Sequence, residues 1–178
     1  IAHLNEEELI DVRKKIAYVF QNGALFDSLT VEENIAYPLL EHTNLSRVEI
    51  KVQIEEMLKL IGLEGSNHLY PNNLSGGMQK RVGVARSIIM KPQIILYDEP
   101  TAGLDPYNTN RLIDLMARIR TLGNSAIFVT HDIPAAFKVS DRVAILYRGQ
   151  IHAIDTPENI QKSTDPIVKA FINGEEVK

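Results

Sequence analysis

Residues 94–101 read IILYDEPT, an apolar run that passes directly into two adjacent carboxylates. The first half of this stretch has the length and composition of a buried strand. Two further strand-like runs follow, at 126–130 and 142–147, and helical patterns near 107–122 and 133–139 separate the three runs. Because strands that alternate with helices form parallel sheets, we predict an α/β fold with a largely parallel sheet.

The region before this strand is mainly helical. Its helices are predicted from the capping-box pattern, a Ser, Thr or Asn followed three residues later by Glu. The pattern occurs at Asn5 with Glu8, Thr30 with Glu33, and Ser46 with Glu49. Gly62 is expected to end the third helix. The second helix is expected to run through Leu40, with Pro38 shortening or kinking it.

The order of these patterns suggests a domain organisation. An apolar run at 16–20 is a further strand, and Thr156-Pro157 and Asp165-Pro166 each open a short helix near the end of the chain. We predict a sheet core from 1–21 and 92–154, a helical subdomain from 22–91, and a C-terminal helical tail from 155–178.

Composition narrows the function. The 178 residues fit one compact domain, and no apolar run reaches the ~18 residues that span a bilayer, so we expect any membrane role to be peripheral. The net charge of -4 and the lack of a Lys/Arg block argue against nucleic acid as a partner. The absence of cysteine excludes disulfide and thiol chemistry for these residues.

Residues 74–81 read LSGGMQKR and carry a candidate phosphate-binding helix start. Ser75 is a suitable N-cap, and glycines in the first turn leave backbone N–H groups accessible to an anion. Taken alone, a Ser-Gly-Gly turn is more often a simple joint between a loop and a helix. The full string at 74–81 is a far more specific signal of function than the Ser-Gly-Gly turn alone.

The carboxylates of Asp98 and Glu99 are a second candidate site. They would lie at the carboxyl end of a parallel strand, where α/β sheets bind their ligands. An isolated Asp-Glu pair is more often a polar strand end that enters a turn. Because Asp98 lies 17 residues after the last residue of the string at 74–81, we interpret the pair as a functional site and not as a simple strand end.

Together these two motifs resemble the signature and Walker B motifs of ABC-type ATPases. The resemblance implies a RecA-like P-loop NTPase core of ABC type with a helical subdomain, and it implies ATP and Mg²⁺ as cofactors. It assigns Glu99 as the general base and Asp98 as a Mg²⁺ ligand. It also implies that Ser75, Gly76, Gly77 and Gln79 contact nucleotide.

Three further residues occur in the order expected for this family. Gln21, after the strand at 16–20, resembles the Q-loop residue that senses Mg²⁺ and the attacking water. Asp105 ends a D-loop-like stretch that would contact the nucleotide across a dimer interface, and it can also cap the next helix. His131 matches the switch histidine, although a lone His at a strand end is more often a surface residue. The remaining histidines, which fit no pattern and are expected at the surface, are His3, His42, His68 and His152.

One family motif is not found. No G-x-x-x-x-G-K-[ST] string occurs in the 178 residues, so we expect the chain to begin downstream of the phosphate loop. Because every remaining catalytic position is intact, a truncated domain fits better than a degenerate one. The complete protein would then hydrolyse ATP, whereas this chain alone would be inactive.

The stretch 21–39 and the tail 167–174 resemble the ATPase subunit of Mla/MCE-type phospholipid transporters. That resemblance implies lipid transport in a bacterial envelope, with the ATPase peripheral on the cytoplasmic side of the inner membrane. The implied partners are a second ATPase subunit in a homodimer, transmembrane permease subunits, an MCE protein and a small regulatory partner.

Other functions remain open. A DNA-repair or chromosome-structuring ABC ATPase would need a long coiled coil, and a translation-type factor would carry two such domains. Neither feature is present in this sequence. An ABC ATPase of an importer for another substrate, and a folded module without catalysis, are the main alternatives.

Overall fold

The computed structural model describes residues 3–175. These residues form two compact units, the first ending at Val129 and the second beginning at Thr130. The first unit contains α1 Glu6–Arg13, β1 Ile16–Val19, α2 Val31–His42, α3 Arg47–Ile61, α4 Gly76–Ile88, β2 Ile94–Asp98, α5 Pro106–Arg120 and β3 Ser125–Val129. The second contains α6 Ile133–Val139, β4 Val143–Tyr147, β5 Gln150–Asp155, α7 Pro157–Gln161 and α8 Pro166–Asn173.

The helix starts follow the sequence patterns closely. All three predicted capping boxes are formed, at the N-termini of α1, α2 and α3. Gly62 ends α3 in the left-handed conformation with a φ of 64°, as predicted. The two tail helices begin with Pro at the expected positions.

Pro38 does not shorten α2, so that alternative of the prediction is wrong, whereas the kink stays a prediction. The helix continues past Pro38 to His42. Ile35 and Leu39 are both almost fully buried on either side of the proline. Proline has no N–H, so one helix hydrogen bond is missing at Pro38. Burial of these two side chains stabilises the helix enough to offset that loss.

The predicted parallel sheet is confirmed for three strands, in the order β1-β2-β3. The strand at 142–147 is not a member of that sheet within residues 3–175. It forms β4, which pairs antiparallel with β5, a strand that the sequence patterns did not predict. The connecting residues Arg148 and Gly149 have φ values of 48° and 78°, typical of a tight hairpin turn.

The two faces of the parallel sheet differ in burial. Ala17, Val19, Ile95 and Tyr97 point to one face and are buried. The alternate positions form an apolar surface that we call the open face. Its exposed members are Tyr18 (43%), Ile94 (37%), Ile127 (59%) and Val129 (58%).

The second unit has a small core of its own. Ile145 of β4, Ile160 of α7 and Val168 of α8 are buried together, and Phe137 and Val143 pack against them. The boundary between the units falls inside the stretch 92–154, and the subdomain limits drawn from the sequence stay predictions. Within the described residues, no helix combines the length and apolar character needed to cross a membrane.

Candidate functional site

The candidate site is built around the carboxyl end of β2. Asp98 is the last residue of the strand, and Glu99 follows in the left-handed region with a φ of 44°. The Glu99 N–H donates to the carbonyl of Val129 at 2.9 Å, which keeps this residue attached to the neighbouring strand β3. A non-glycine residue in this conformation costs free energy, and such residues cluster at functional sites.

The Asp98 carboxylate is oriented by a neighbouring strand. The hydroxyl of Tyr18 on β1 donates to Asp98 Oδ2 at 2.9 Å. The hydrogen bond to Asp98 is the main reason why the pKa of the Tyr18 phenol is raised above its ordinary value. Sequence reasoning did not identify Tyr18, because its contact with Asp98 depends on the register of two strands 80 residues apart.

The turn after Glu99 contains the stretch predicted as a D-loop. Its amides form two hydrogen bonds, from Ala102 N to Glu99 O and from Leu104 N to Thr101 O, each at 3.2 Å. Lys80 of α4 reaches this turn with its ammonium, which donates to Pro100 O at 2.9 Å and also to Ala102 O. The turn is therefore attached to the helix that follows residues 74–75.

Ser75 caps α4 as predicted, its hydroxyl accepting from Met78 N at 3.3 Å. Ser75 and Gly76 are exposed, and a Cβ on Gly76 would meet no atom within 4 Å. Gly77 differs, because a Cβ there would lie 2.6 Å from Asn108 Oδ1. The helix start is thus open to an anion at Gly76, whereas Gly77 is needed for close packing against α5.

Asp105 caps α5, as predicted. Its carboxylate accepts from the backbone N of Asn108 at 3.0 Å and from the Asn108 side chain at 2.6 Å. These bonds, the side-chain one first, lower the pKa of Asp105 below its usual range. Asn108 thus contacts both Gly77 and Asp105, and it joins the start of α4 to the end of the turn after β2.

Gln79 is oriented towards its own loop. Its side-chain amide donates to Pro71 O at 2.9 Å and to Leu74 O at 3.4 Å. This geometry gives Gln79 a role in shaping residues 71–74, just before the helix start. Contact between Gln79 and nucleotide remains a prediction from the resemblance.

Gln21 lies two residues after the end of β1, in an exposed turn. Because β1 and β2 are parallel neighbours, Gln21 and Asp98 follow the same edge of the sheet. The loop that continues from Gln21, residues 22–30, is held from inside by Asn34. This fully buried side chain accepts from Phe26 N at 2.9 Å and donates to Phe26 O, Leu29 O and Thr30 O at 3.0–3.1 Å.

The same loop is tied to α4 by Arg86. Its guanidinium donates to Ala24 O at 2.6 Å and to Gly23 O at 3.2 Å, and it lies 5.1 Å from the centre of the Phe26 ring. Burial lowers the pKa of Arg86. Helix α4 therefore contacts the loop after Gln21 at one end and the turn after Glu99 nearer its start.

His131 lies in the second unit, between β3 and α6, and is exposed. The next residue, Asp132, caps α6 by accepting from Ala135 N at 3.0 Å. The structure thus brings Gln21, Ser75, Asp98, Glu99 and Asp105 into the first unit and His131 into the second.

His152 has a structural role that the sequence did not reveal. Its Nε2 lies 3.1 and 3.2 Å from the two carboxylate oxygens of Asp165, and its side chain is only 29% exposed. Asp165 also caps α8. His152 is nevertheless exposed, as are His3, His42 and His68, so the prediction that these four histidines lie at the surface is confirmed, and only the contact with Asp165 was not predicted.

The predicted cofactor can be compared with these groups. Between residues 3 and 175, no three His, Asp or Glu side chains are grouped to hold a metal on their own. Mg²⁺ is commonly bound through one or two carboxylates together with substrate phosphates, and it prefers oxygen ligands. The half-buried, oriented carboxylate of Asp98 fits that chemistry.

Comparison with known proteins supports the resemblance. The family model described as ABC transporter matches residues 2–102. The chain is similar to the "Probable ribonucleotide transport ATP-binding protein mkl" of Mycobacterium leprae, with 38% identity over 99% of this chain and 51% of that protein. It is also similar to the "Intermembrane phospholipid transport system ATP-binding protein MlaF" of Escherichia coli K12, with 36% identity over 98% of this chain and 65% of that protein.

A third relative has another printed substrate. The "Methionine import ATP-binding protein MetN" of Carboxydothermus hydrogenoformans is 38% identical over 97% of this chain and 52% of that protein. The chain therefore spans between about half and two thirds of the length of these relatives.

A solved structure shares the fold. The cbiO1 protein of Clostridium perfringens, part of the ABC transporter complex cbiONQ, superposes with a TM-score of 0.82 and 27% identity. The match covers 94% of this chain and 67% of that one. The family match, the relatives and this fold agree with the geometry around β2 and α4, and the chain belongs to the ABC transporter family.

Proposed function

We propose that the full-length protein is the ATP-binding and ATP-hydrolysing subunit of an ABC transporter. The observation that carries this proposal is the placement of Glu99 directly after Asp98, in a left-handed turn at the carboxyl end of β2. The turn is anchored to α4, whose exposed start at Ser75 and Gly76 is suited to a phosphate.

Each residue then has a distinct task. Glu99 orients the attacking water and accepts its proton, a role worth roughly 10²–10⁴-fold in rate. Asp98, oriented by Tyr18, would hold Mg²⁺, which when bound neutralises charge on the phosphate oxygens. Gln21 and His131 would contact the water and the γ-phosphate, and Asp105 would contact the nucleotide from the D-loop.

The site is proposed to form between two subunits. The start of α4 would bind the γ-phosphate of a nucleotide held by the other subunit, so one two-fold interface creates two sites. Permease subunits in the membrane are the proposed partners, with the ATPase peripheral on the cytoplasmic side. The similarity to a subunit of the cbiONQ complex supports a multi-subunit assembly.

For the transported substrate we propose lipids of the bacterial envelope. The support is the resemblance of residues 21–39 to phospholipid transport ATPases, together with the 36% identity to MlaF. An MCE protein and a small regulatory partner belong to this proposal. An importer for another substrate is the alternative, favoured by the 38% identity to the methionine import protein.

The hydrolytic role is tested with Glu99→Gln, which keeps the size of the side chain but removes the base. In the full-length protein we expect steady-state hydrolysis to fall by about 100-fold or more while ATP affinity is unchanged. Glu56→Gln, on the exposed surface of α3, is the matched control. A fall of less than about tenfold would show that Glu99 is not the general base.

The shared site is tested by mixing two inactive variants. Ser75→Arg places bulk and a cation where the partner's γ-phosphate would bind. A mixed dimer contains one Ser75→Arg subunit and one Glu99→Gln subunit. Both substitutions then lie in the same one of its two sites, and the other site is intact. We expect more hydrolysis from the mixture than from either variant alone. Wild-type activity from either variant alone would place Ser75 or Glu99 outside the site.

The substrate is tested with the full-length protein and its permease in vesicles. ATP-dependent transfer of a fluorescent phospholipid supports the lipid proposal, and Glu99→Gln should abolish it. ATP-dependent uptake of methionine with no lipid transfer would instead support the importer alternative.

A further inference from the structure

Lys80 is a buried cation in the middle of the proposed site. It is only 9% exposed, although lysine side chains usually reach water. It lies on α4 about one helical turn after Gly76, the first helical residue. Burial lowers the pKa of Lys80, and the nearby Glu99 carboxylate opposes part of that shift.

The ammonium of Lys80 binds backbone carbonyls. It donates to Pro100 O at 2.9 Å and to Ala102 O, which are one and three residues after Glu99. Pro100 is fully buried, which leaves its carbonyl little access to water, and Ala102 is half-buried. Buried carbonyls need a donor, and an ammonium on a long stem can supply two hydrogen bonds from a helix 20 residues away in sequence.

The neighbouring Arg81 shows that this arrangement is not general for the helix. It is also buried, at 5% exposed, yet its Nε has no hydrogen-bond partner. Of the two adjacent cations, Lys80 is the one whose donors are directed at the turn behind Glu99. Burial of a charge close to a catalytic carboxylate is characteristic of a functional position.

We propose that Lys80 is a positioning residue that fixes the turn after Glu99 to the helix that begins at Ser75. This inference rests on the proposed function and deepens it. In the proposed two-fold dimer, Ser75 contacts the nucleotide held by the partner subunit. Glu99 acts on the nucleotide held by its own subunit. Lys80 is therefore a direct link, inside one subunit, between the two sites of the dimer.

The link acts through backbone geometry. The bonds from Lys80 hold Pro100 and Ala102, and Ala102 N in turn donates to the carbonyl of Glu99. A shift of α4 when Ser75 meets a phosphate would be passed to Glu99 through these few bonds. Small displacements of a catalytic group cost about 10²-fold in rate, so the link would make hydrolysis depend on both nucleotides.

The test uses the full-length protein with Lys80→Met, which keeps the length of the side chain but removes its donors. We expect kcat to fall by about tenfold and the Hill coefficient for ATP to fall towards 1, with nucleotide affinity unchanged within about twofold. Lys80→Arg, which keeps charge and donors, should recover much of both. Lys51→Met, on the exposed face of α3, is the control.

A second measurement does not depend on hydrolysis. Without nucleotide, hydrogen exchange at the amides of Ala102 and Leu104 should be about tenfold faster in Lys80→Met than in the wild type. If Lys80→Met does not fold, Lys80→Gln replaces it in both measurements. Unchanged exchange, or a variant with wild-type kcat and Hill coefficient, would overturn the proposal, as would equal damage from Lys80→Arg.

The outcomes separate this inference from the proposed function. A wild-type protein that does not hydrolyse ATP refutes the proposed function, and the exchange measurement still reports whether Lys80 holds the turn. Normal wild-type hydrolysis with unchanged Lys80→Met kinetics refutes only the inference.

Discussion

Gly83 of α4 lies so close to Gly23 that a Cβ at position 83 would be 2.7 Å from Gly23 Cα and 2.8 Å from its carbonyl oxygen. The atoms in the way belong to the backbone, so no side-chain rotation can relieve the overlap. Gly23 has a φ of 71° in the loop at 22–30, so the contact joins that loop to the helix at two glycines.

Gly83→Ala should therefore destabilise the full-length protein. We expect a loss of about 1–3 kcal/mol in the free energy of unfolding, even though alanine is the better helix former. Urea unfolding followed by circular dichroism measures it. Gly76→Ala is the control for stability, because a Cβ there meets nothing within 4 Å. Equal stability of Gly83→Ala and wild type would contradict the close contact.

Asn34→Asp should loosen the loop at 22–30. The carboxylate can still accept from Phe26 N and from Arg86, but it has no N–H to share among the carbonyls of Phe26, Leu29 and Thr30. We expect a loss of about 2–4 kcal/mol in the free energy of unfolding and faster proteolysis within the loop. Asn44→Asp makes the same change at an exposed position and should have little effect. An equally small effect at Asn34 would show that its hydrogen bonds contribute little.

Tyr18→Phe should weaken the proposed Mg²⁺ site without changing the fold. It removes only the hydroxyl that donates to Asp98. Loss of a group that orients a metal ligand typically costs about 10–100-fold in metal affinity. The Mg²⁺ concentration for half-maximal hydrolysis should rise accordingly, while Tyr37→Phe, on the surface of α2, should leave it unchanged. An unshifted Mg²⁺ dependence in Tyr18→Phe would separate this hydroxyl from the metal site.

The second unit should lose stability in acid through Asp165. Hydrogen bonds from the Val168 amide and from His152 hold the pKa of Asp165 below its usual range. The stabilisation is therefore present above the unfolded-state pKa, about 4, and is lost as pH falls through the lower folded-state value. Asp165→Asn should flatten this part of the stability curve from pH 5 to 2. Glu158→Gln should leave it as in wild type, and an unaltered curve for Asp165→Asn would exclude the mechanism.

The elements that the sequence predicted well depend on residues close together in the chain. The capping boxes, the Gly62 helix end and the caps at Ser75 and Asp105 all involve residues within four positions of each other. Their hydrogen bonds follow from local geometry and need no knowledge of the fold. The parallel orientation of β2 and β3 was likewise predictable from the alternation of strands with helices, although the same reasoning wrongly added the strand at 142–147 to that sheet.

The contacts that hold the candidate site together could not be predicted in this way. Tyr18 with Asp98, Lys80 with Pro100, and Arg86 with Ala24 join residues that are 80, 20 and 62 positions apart. Each depends on strand register or helix packing, which a single sequence does not specify. The course of α2 past Pro38 has the same origin, because burial of Ile35 and Leu39 outweighs the local preference.

The open face of the three-stranded sheet has a consequence for how these residues behave in a cell. Tyr18, Ile94, Ile127 and Val129 present an apolar surface to water from the same face of three adjacent strands. Molecular chaperones recognise such surfaces as a sign of unfinished folding, and proteases remove proteins that keep them exposed. The cellular lifetime of this polypeptide will therefore depend on how soon another protein surface covers that face.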